Sequence, residues 1–177
     1  MELFESIKKR RSIRKFLDKD VDDNTIKKLI EAAAMAPSGM NEQPWHFVVI
    51  KDREKKKRFR EIYEFCREKR GAYKQDCSFV EKGNIFVICY EKEKCQPTIS
   101  VSLACENLML AATGLGFGSL IMTTPVSYPE AIEKIKGLLE IPENIDIMAA
   151  IIVGYPDENP EMKPRKPMNE ILHFERW

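Results

Sequence analysis

A chain of 177 residues is long enough for one domain with a sizeable core and too short for two ordinary domains with separate cores, so a single domain over residues 1–177 is expected. Hydrophobic residues at 44% and charged residues at 32% exclude a disordered chain and a membrane-spanning one. With 29 Lys plus Arg against 28 Asp plus Glu, the net charge of +1 offers no global field for nucleic acid or an anionic membrane, and any anion site has to be local.

The pattern from Leu3 to Arg11 is short and helical, and the cluster Asp22-Asp23-Asn24 caps a second helix that carries Ile26, Leu29, Ile30 and Ala33 on one face and stops at Pro37. Trp45 to Ile50 is aromatic and β-branched, which predicts a buried strand. Asp52 to Arg70 is highly charged, with Phe59, Ile62 and Cys66 as a narrow apolar stripe, and predicts a helix with a wet outer face. Ile85 to Tyr90 reads as a second strand. Thr98 to Thr113 reads as a helix whose only charge is Glu106, ended by Gly114. Apolar nearly all round, that helix needs cover on every side, from the middle of the domain or from a subunit interface.

Leu120 to Thr123 predicts a third strand, Tyr128 to Leu139 an amphipathic helix, and Ile145 to Val153 a long apolar strand. Two helices followed by alternating strands and helices predict an α+β or α/β sandwich with helices covering a sheet. After Gly154, the segment Tyr155 to Met168 holds four prolines and reads as an extended arm. The arm's end, Ile171 to Trp177, is apolar enough to need a docking surface.

The start, Met1-Glu2-Leu3-Phe4-Glu5-Ser6, turns basic with no apolar run, so no secretory leader is expected. The five cysteines (Cys66, Cys77, Cys89, Cys95, Cys105) form an odd set without a Cys-x-x-Cys pair. That argues against a disulfide framework and for a reducing cytoplasm. With His46 and His173 as the only histidines and no metal-ligand spacing, no metal site is expected. His46 reads as a strand residue rather than a base.

Three features stand out chemically. Arg10, Arg11, Ser12 and Arg14 place three guanidinium groups and a hydroxyl at a helix end, where guanidinium forks match phosphate oxygens. A solvated basic helix terminus would account for the same residues. Lys163 and Arg165 form a second cationic pair, in Lys163-Pro164-Arg165-Lys166-Pro167, where the prolines fix backbone directions. The loop Ala36-Pro37-Ser38-Gly39-Met40-Asn41-Glu42-Gln43-Pro44-Trp45 is rich in side-chain amides, which suit the alternating carbonyl and N–H edge of a flavin and equally suit a plain turn. The cluster Gly114-Leu115-Gly116-Phe117-Gly118 follows a helix rather than a strand and is no dinucleotide fingerprint, although it permits close approach of backbone to a flat ring.

Taken in order, Arg10-Arg11-Ser12-Ile13-Arg14-Lys15-Phe16, then Ala36-Pro37-Ser38-Gly39-x-Asn41-x-Gln43-Pro44-Trp45-x-Phe47, then Gly114-Leu115-Gly116 and Lys163-Pro164-Arg165-Lys166-Pro167 resemble the nitroreductase family along nearly the whole chain. The resemblance implies a three-layer α+β fold with a central, mostly antiparallel sheet flanked by helices. It also implies a homodimer with two FMN sites at the interface and a C-terminal arm reaching the partner subunit. By matching positions, Arg10, Arg11, Ser12, Arg14, Lys163 and Arg165 would close on the FMN phosphate from one subunit. Pro37, Ser38, Gly39, Met40, Asn41 and Gln43 would reach the flavin from the other, and Ser119, Leu120 and Ile121 would lie near flavin N5.

Arg14 is the candidate cation beside flavin N1 and O2. The implied activity is hydride transfer from NADH or NADPH to a small acceptor such as a nitro compound, a quinone or a flavin, by a ping-pong course with no side-chain acid or base. The alternatives are a specialised flavin enzyme such as a reductive dehalogenase, an FMN-binding protein without turnover, and a module that binds a phosphorylated partner. Between Cys66 and Asn84 the chain leaves little room for a helical insertion over the substrate side, which implies an open acceptor pocket. Phe117 is the one aromatic near the glycine cluster that could stack on a substrate.

Overall fold

The computed structural model describes residues 2–71 and 76–177. In chain order come helices α1 (Leu3–Lys9) and α2 (Asp23–Ala34), strand β1 (Trp45–Ile50), helices α3 (Arg53–Lys69) and α4 (Phe79–Lys82), strand β2 (Asn84–Glu91), helix α5 (Pro97–Gly114), strand β3 (Gly118–Met122), helix α6 (Pro129–Leu139) and strand β4 (Ile145–Gly154). Each long element predicted from the sequence is present. Helix α1 stops at Lys9, before the arginine cluster rather than within it. Helix α4 has no counterpart among the expectations, because one turn is too short to show a period. Part of the stretch between Cys66 and Asn84, from which an open pocket is expected, lies outside the described residues.

Local chemistry explains where the helices begin. The Asp22 carboxylate accepts from the Thr25 backbone N–H at 3.0 Å and the Thr25 hydroxyl at 2.7 Å, and these bonds hold its pKa below the usual carboxylate value. Asp52 caps α3 through the Lys55 N–H at 2.9 Å. Pro97 opens α5, where its missing N–H costs nothing.

The sheet runs in the order β1-β2-β4-β3, and all its pairings are antiparallel. Because side chains alternate across a strand, Ile85, Val87, Ala150 and Ile152 face one core with Phe59 of α3 and Ile135 of α6. Phe86, Ile88, Ile151 and Val153 face a second core with Leu29 of α2 and Leu108 of α5. The result is three layers, helices on each side of a sheet whose central strands are apolar on both faces. Burial of each of Phe86, Ile88, Ile151 and Ile152, all at 0% exposure, stabilises the fold by about 1.5–3 kcal/mol.

Helix α5 is not covered all round. Ile99 and Leu103 remain exposed on it, and Leu3, Phe4 and Ile7 are exposed on α1, which packs against α5. Of the two sources of cover that the sequence leaves open for α5, the surrounding chain supplies only part.

Candidate functional site

Arg10 leaves the helix at the end of α1, and the chain then runs extended between β3 and the segment that follows β4. Ser12 bridges Ser119 in parallel, and the Ile13 N–H donates to the Ser119 carbonyl at 3.0 Å. On the other side, Leu17 N–H donates to Tyr155 O and Asp157 N–H to Lys15 O, both at 2.9 Å. Ile13 and Phe16 turn into the core, while Arg14 stays exposed. The close approach to β3 needs Gly118, since a Cβ there would stand 2.8 Å from Ile13 Cγ1.

This ladder brings the two ends of the chain together. Arg10, Arg11, Ser12, Arg14, Lys163 and Arg165 line one cavity of about 250 Å³, shared with Pro160, Glu161 and Met162. Cations thus outnumber the single lining carboxylate. Arg10 Nε stands 3.5 Å from Glu106 Oε1, whereas Arg11, Arg14, Lys163 and Arg165 have no ion pair among the described residues. Arg11 Nη1 donates to the carbonyls of Lys8 at 2.6 Å and Arg10 at 2.8 Å, which aims the guanidinium, and its buried Nε has no acceptor. Arg14 Nη1 donates to Ser12 O at 3.3 Å. A rim of forked donors with spare N–H groups fits a dianionic phosphate.

Beside it, Ser119 is buried at 1% exposure and its Oγ has no hydrogen-bond partner. An orphaned buried hydroxyl one bridge away from Ser12 fits a polar group of a ligand seated against β3. Leu120 turns into the core beneath the sheet, so only its main chain can face a ligand, and Ile121 is half-buried against the opposite core.

The amide loop lies apart from the cation cavity within one chain. Met40, Asn41 and Gln43 take positive φ of 52°, 56° and 48°, a backbone state that side chains disfavour, so the loop holds stored strain. It is held by Gln43 N–H donating to Ser38 Oγ at 3.0 Å and by Cys95 N–H donating to Glu42 Oε2 at 2.6 Å. Gly39 is seated on the same turn, where a Cβ would stand 3.1 Å from Cys95 Sγ. Pro37, Met40, Asn41 and Gln43 are exposed, Met40 at 86%, and none of them lines the cation cavity.

Other residues stand away from this chemistry. His46 pairs with Glu91 at 3.5 Å beside a separate apolar cavity of about 430 Å³ between β1 and the end of α6. Cys66, Cys77, Cys89 and Cys105 are buried thiols, Cys89 and Cys105 pushed up by burial to about 12, and Cys95 is exposed. Among the described residues no group of side chains could hold a metal, and no helix is long and apolar enough to cross a membrane. Phe117 packs edge-on against Tyr155, with ring centres 5.0 Å apart, which holds its ring against the start of the arm rather than leaving it free to stack on a substrate.

The nitroreductase family model matches residues 7–84 and 91–155. The chain belongs to the nitroreductase family. Over 180 residues it is 34% identical to a protein of Methanothermobacter thermautotrophicus provisionally named NADH dehydrogenase/NAD(P)H nitroreductase, with 100% of this chain and 88% of the relative covered. It is 28% identical to the iodotyrosine deiodinase of Thermotoga neapolitana, covering 96% of this chain and 95% of that one. A crystal structure of a nitroreductase with bound FMN from Bacteroides fragilis superposes with a TM-score of 0.79 at 25% identity, covering 98% of each chain. A cavity in which Arg11, Arg14 and Arg165 have no ion pair among the described residues, beside an orphaned serine hydroxyl, has the chemistry to suit the phosphate end and the ring edge of a flavin nucleotide.

Sequence reasoning missed the devices that hold the site together. The Glu158 carboxylate accepts the backbone N–H groups of Arg14 and Lys15, the latter at 3.1 Å, and Glu42 ties the amide loop to the turn before α5. Neither glutamate stands in a motif. A charged residue placed just inside a Pro-rich arm was the one available hint of Glu158.

Proposed function

We propose that this chain is an FMN-dependent oxidoreductase that takes hydride from NADH or NADPH and delivers it to a small acceptor such as a nitro compound, quinone or flavin. The observation that carries this is the single cavity built from Arg10, Arg11, Ser12 and Arg14 at one end of the chain and Lys163 and Arg165 at the other. These side chains hold the phosphate as forked, charge-assisted donors. FMN held there would supply the redox chemistry, uptake and release of hydride at N5.

The rest of the work falls to orientation. Ser119, whose Oγ is unpartnered, and the main chain of Leu120 and Ile121 next to it on β3 would lie near N5. Arg14, the most exposed guanidinium beside Ser12, is the candidate for the charge that builds near N1 and O2 during reduction. Pro37, Ser38, Gly39, Met40, Asn41 and Gln43 stand outside the cation cavity of their own chain and would meet the flavin of a second copy. A homodimer also covers the apolar stripe of Ile99, Leu103, Phe4 and Ile7 and gives the exposed end of the arm, with Phe174 and Trp177, a partner surface. With one exposed ring face, donor and acceptor would take turns, which gives ping-pong kinetics. Four buried cysteines and an exposed one, an odd set, fit a reducing cytoplasm.

The deciding experiment is an absorption spectrum of the purified protein, repeated after anaerobic NADH and NADPH. Flavin bands that bleach with either nucleotide support the proposal, and a protein that stays colourless with excess FMN defeats it. Similarity to iodotyrosine deiodinases favours reductive dehalogenation as the second reading, and halide release from a halogenated phenol under the same conditions separates the two.

A further inference from the structure

We propose that Glu158 is a positioning residue that clamps the arm onto the arginine segment and so fixes Lys163 and Arg165 across the phosphate cavity. This rests on the FMN reading above. Glu158 Oε1 takes the N–H groups of both Arg14 and Lys15, and neither N–H has another acceptor among the described residues. It is also the last tie of the arm. Beyond it, none of the described hydrogen bonds or ion pairs joins residues 159–167 to residues 2–158.

From that clamp the chain passes through Pro160 and Pro164, whose fixed φ angles make the intervening backbone stiff. A stiff strap anchored at one point carries its side chains to one place. Lys163 and Arg165 then face Arg10, Arg11 and Arg14 across the cavity. Released at Glu158, the strap is free from the residue after Asp157, whose N–H still donates to Lys15 O, and the two cations are no longer held across the cavity from the other end of the chain.

Charge alone predicts the opposite role. A carboxylate beside a site for a dianion opposes the ligand, so a purely electrostatic Glu158 would weaken FMN binding and its removal would strengthen it. The two accounts therefore differ in sign. Because both bonds end on one oxygen, the glutamine amide oxygen can accept the same pair.

The test is fluorescence titration of Glu158→Ala and Glu158→Gln with FMN and with riboflavin, which lacks the phosphate. Glu158→Ala should raise the Kd for FMN about fivefold and leave that for riboflavin unchanged, while Glu158→Gln keeps the parent affinity for FMN. Tighter or unchanged FMN binding by Glu158→Ala overturns the clamp, and so does an equal loss for both ligands. A parent protein that binds FMN no better than riboflavin overturns the phosphate reading itself, and the clamp with it.

Discussion

The two loops that the proposed reading assigns to the flavin are built in different ways. The segment Arg10–Phe16 is woven between β3 and the arm by backbone bonds, and its cations form a cavity within one chain. The loop Pro37–Gln43 is tied to the turn before α5, carries left-handed residues and does not line that cavity. In the proposed reading the first is a half-site within one chain and the second would serve the flavin of another copy. Charge would then be collected inside a subunit, where backbone ladders can set its geometry, and ring recognition would fall to the subunit interface.

The largest effect should come from breaking the first half-site. Arg11→Ala combined with Arg165→Ala removes a donor from each end of the chain, and at about 1.5–3 kcal/mol for each charged hydrogen bond the loss in FMN affinity is about a hundredfold or more. Riboflavin should bind as before. Titration of both ligands reads this directly, and equal losses for the two would show that these arginines serve the fold rather than the phosphate.

The second half-site should break in the other pattern. In Gly39→Val the added Cβ would meet Cys95 Sγ at 3.1 Å and Cys95 O at 3.2 Å, and a branched side chain leaves no room to yield. The loop must lift from the turn, and Asn41 and Gln43 move with it. FMN and riboflavin should then lose affinity alike, about tenfold on the scale of one or two misplaced hydrogen bonds. A loss confined to FMN would mean that this loop senses phosphate and that the division between the loops is wrong.

The contrast also separates what the sequence could reveal from what it could not. Arg10 to Arg14 and Lys163-Pro-Arg165 are conspicuous by residue type, and the amide loop by its donors. Their chemistry can be read in one dimension. Convergence cannot, because it depends on Ser12 lying beside Ser119 and Asp157 beside Lys15, pairings set by β3 and β4 rather than by either motif. The left-handed backbone at Met40 and Gln43 runs against residue preference and leaves no signature, whereas Asn41 between them is a residue that tolerates it. The apolar circumference of α5 was legible, but only coordinates show that Ile99 and Leu103 remain outside.

The smallest effect concerns neither loop and bounds how far either can be blamed for a change in stability with pH. Cys89 and Cys105 sit in the two opposite cores, and burial raises both thiols from 9.0 to about 12. A raised folded-state value means that the native protein holds these protons more tightly than the unfolded chain. Their contribution is therefore complete below pH 9 and is lost as pH climbs from there toward 12. Thermal melts of the parent and of Cys105→Ala between pH 8 and about pH 10.5 should show a shallower alkaline decline in the variant, on top of a constant loss from the small cavity. Since no cation of the site takes part, the ratio of FMN to riboflavin affinity should stay fixed in Cys105→Ala at neutral pH. Parallel decline of the two proteins would place the alkaline sensitivity elsewhere, with Tyr90, pushed up by burial, and Lys51, pushed up by its bond to Asp23, as the next groups to test.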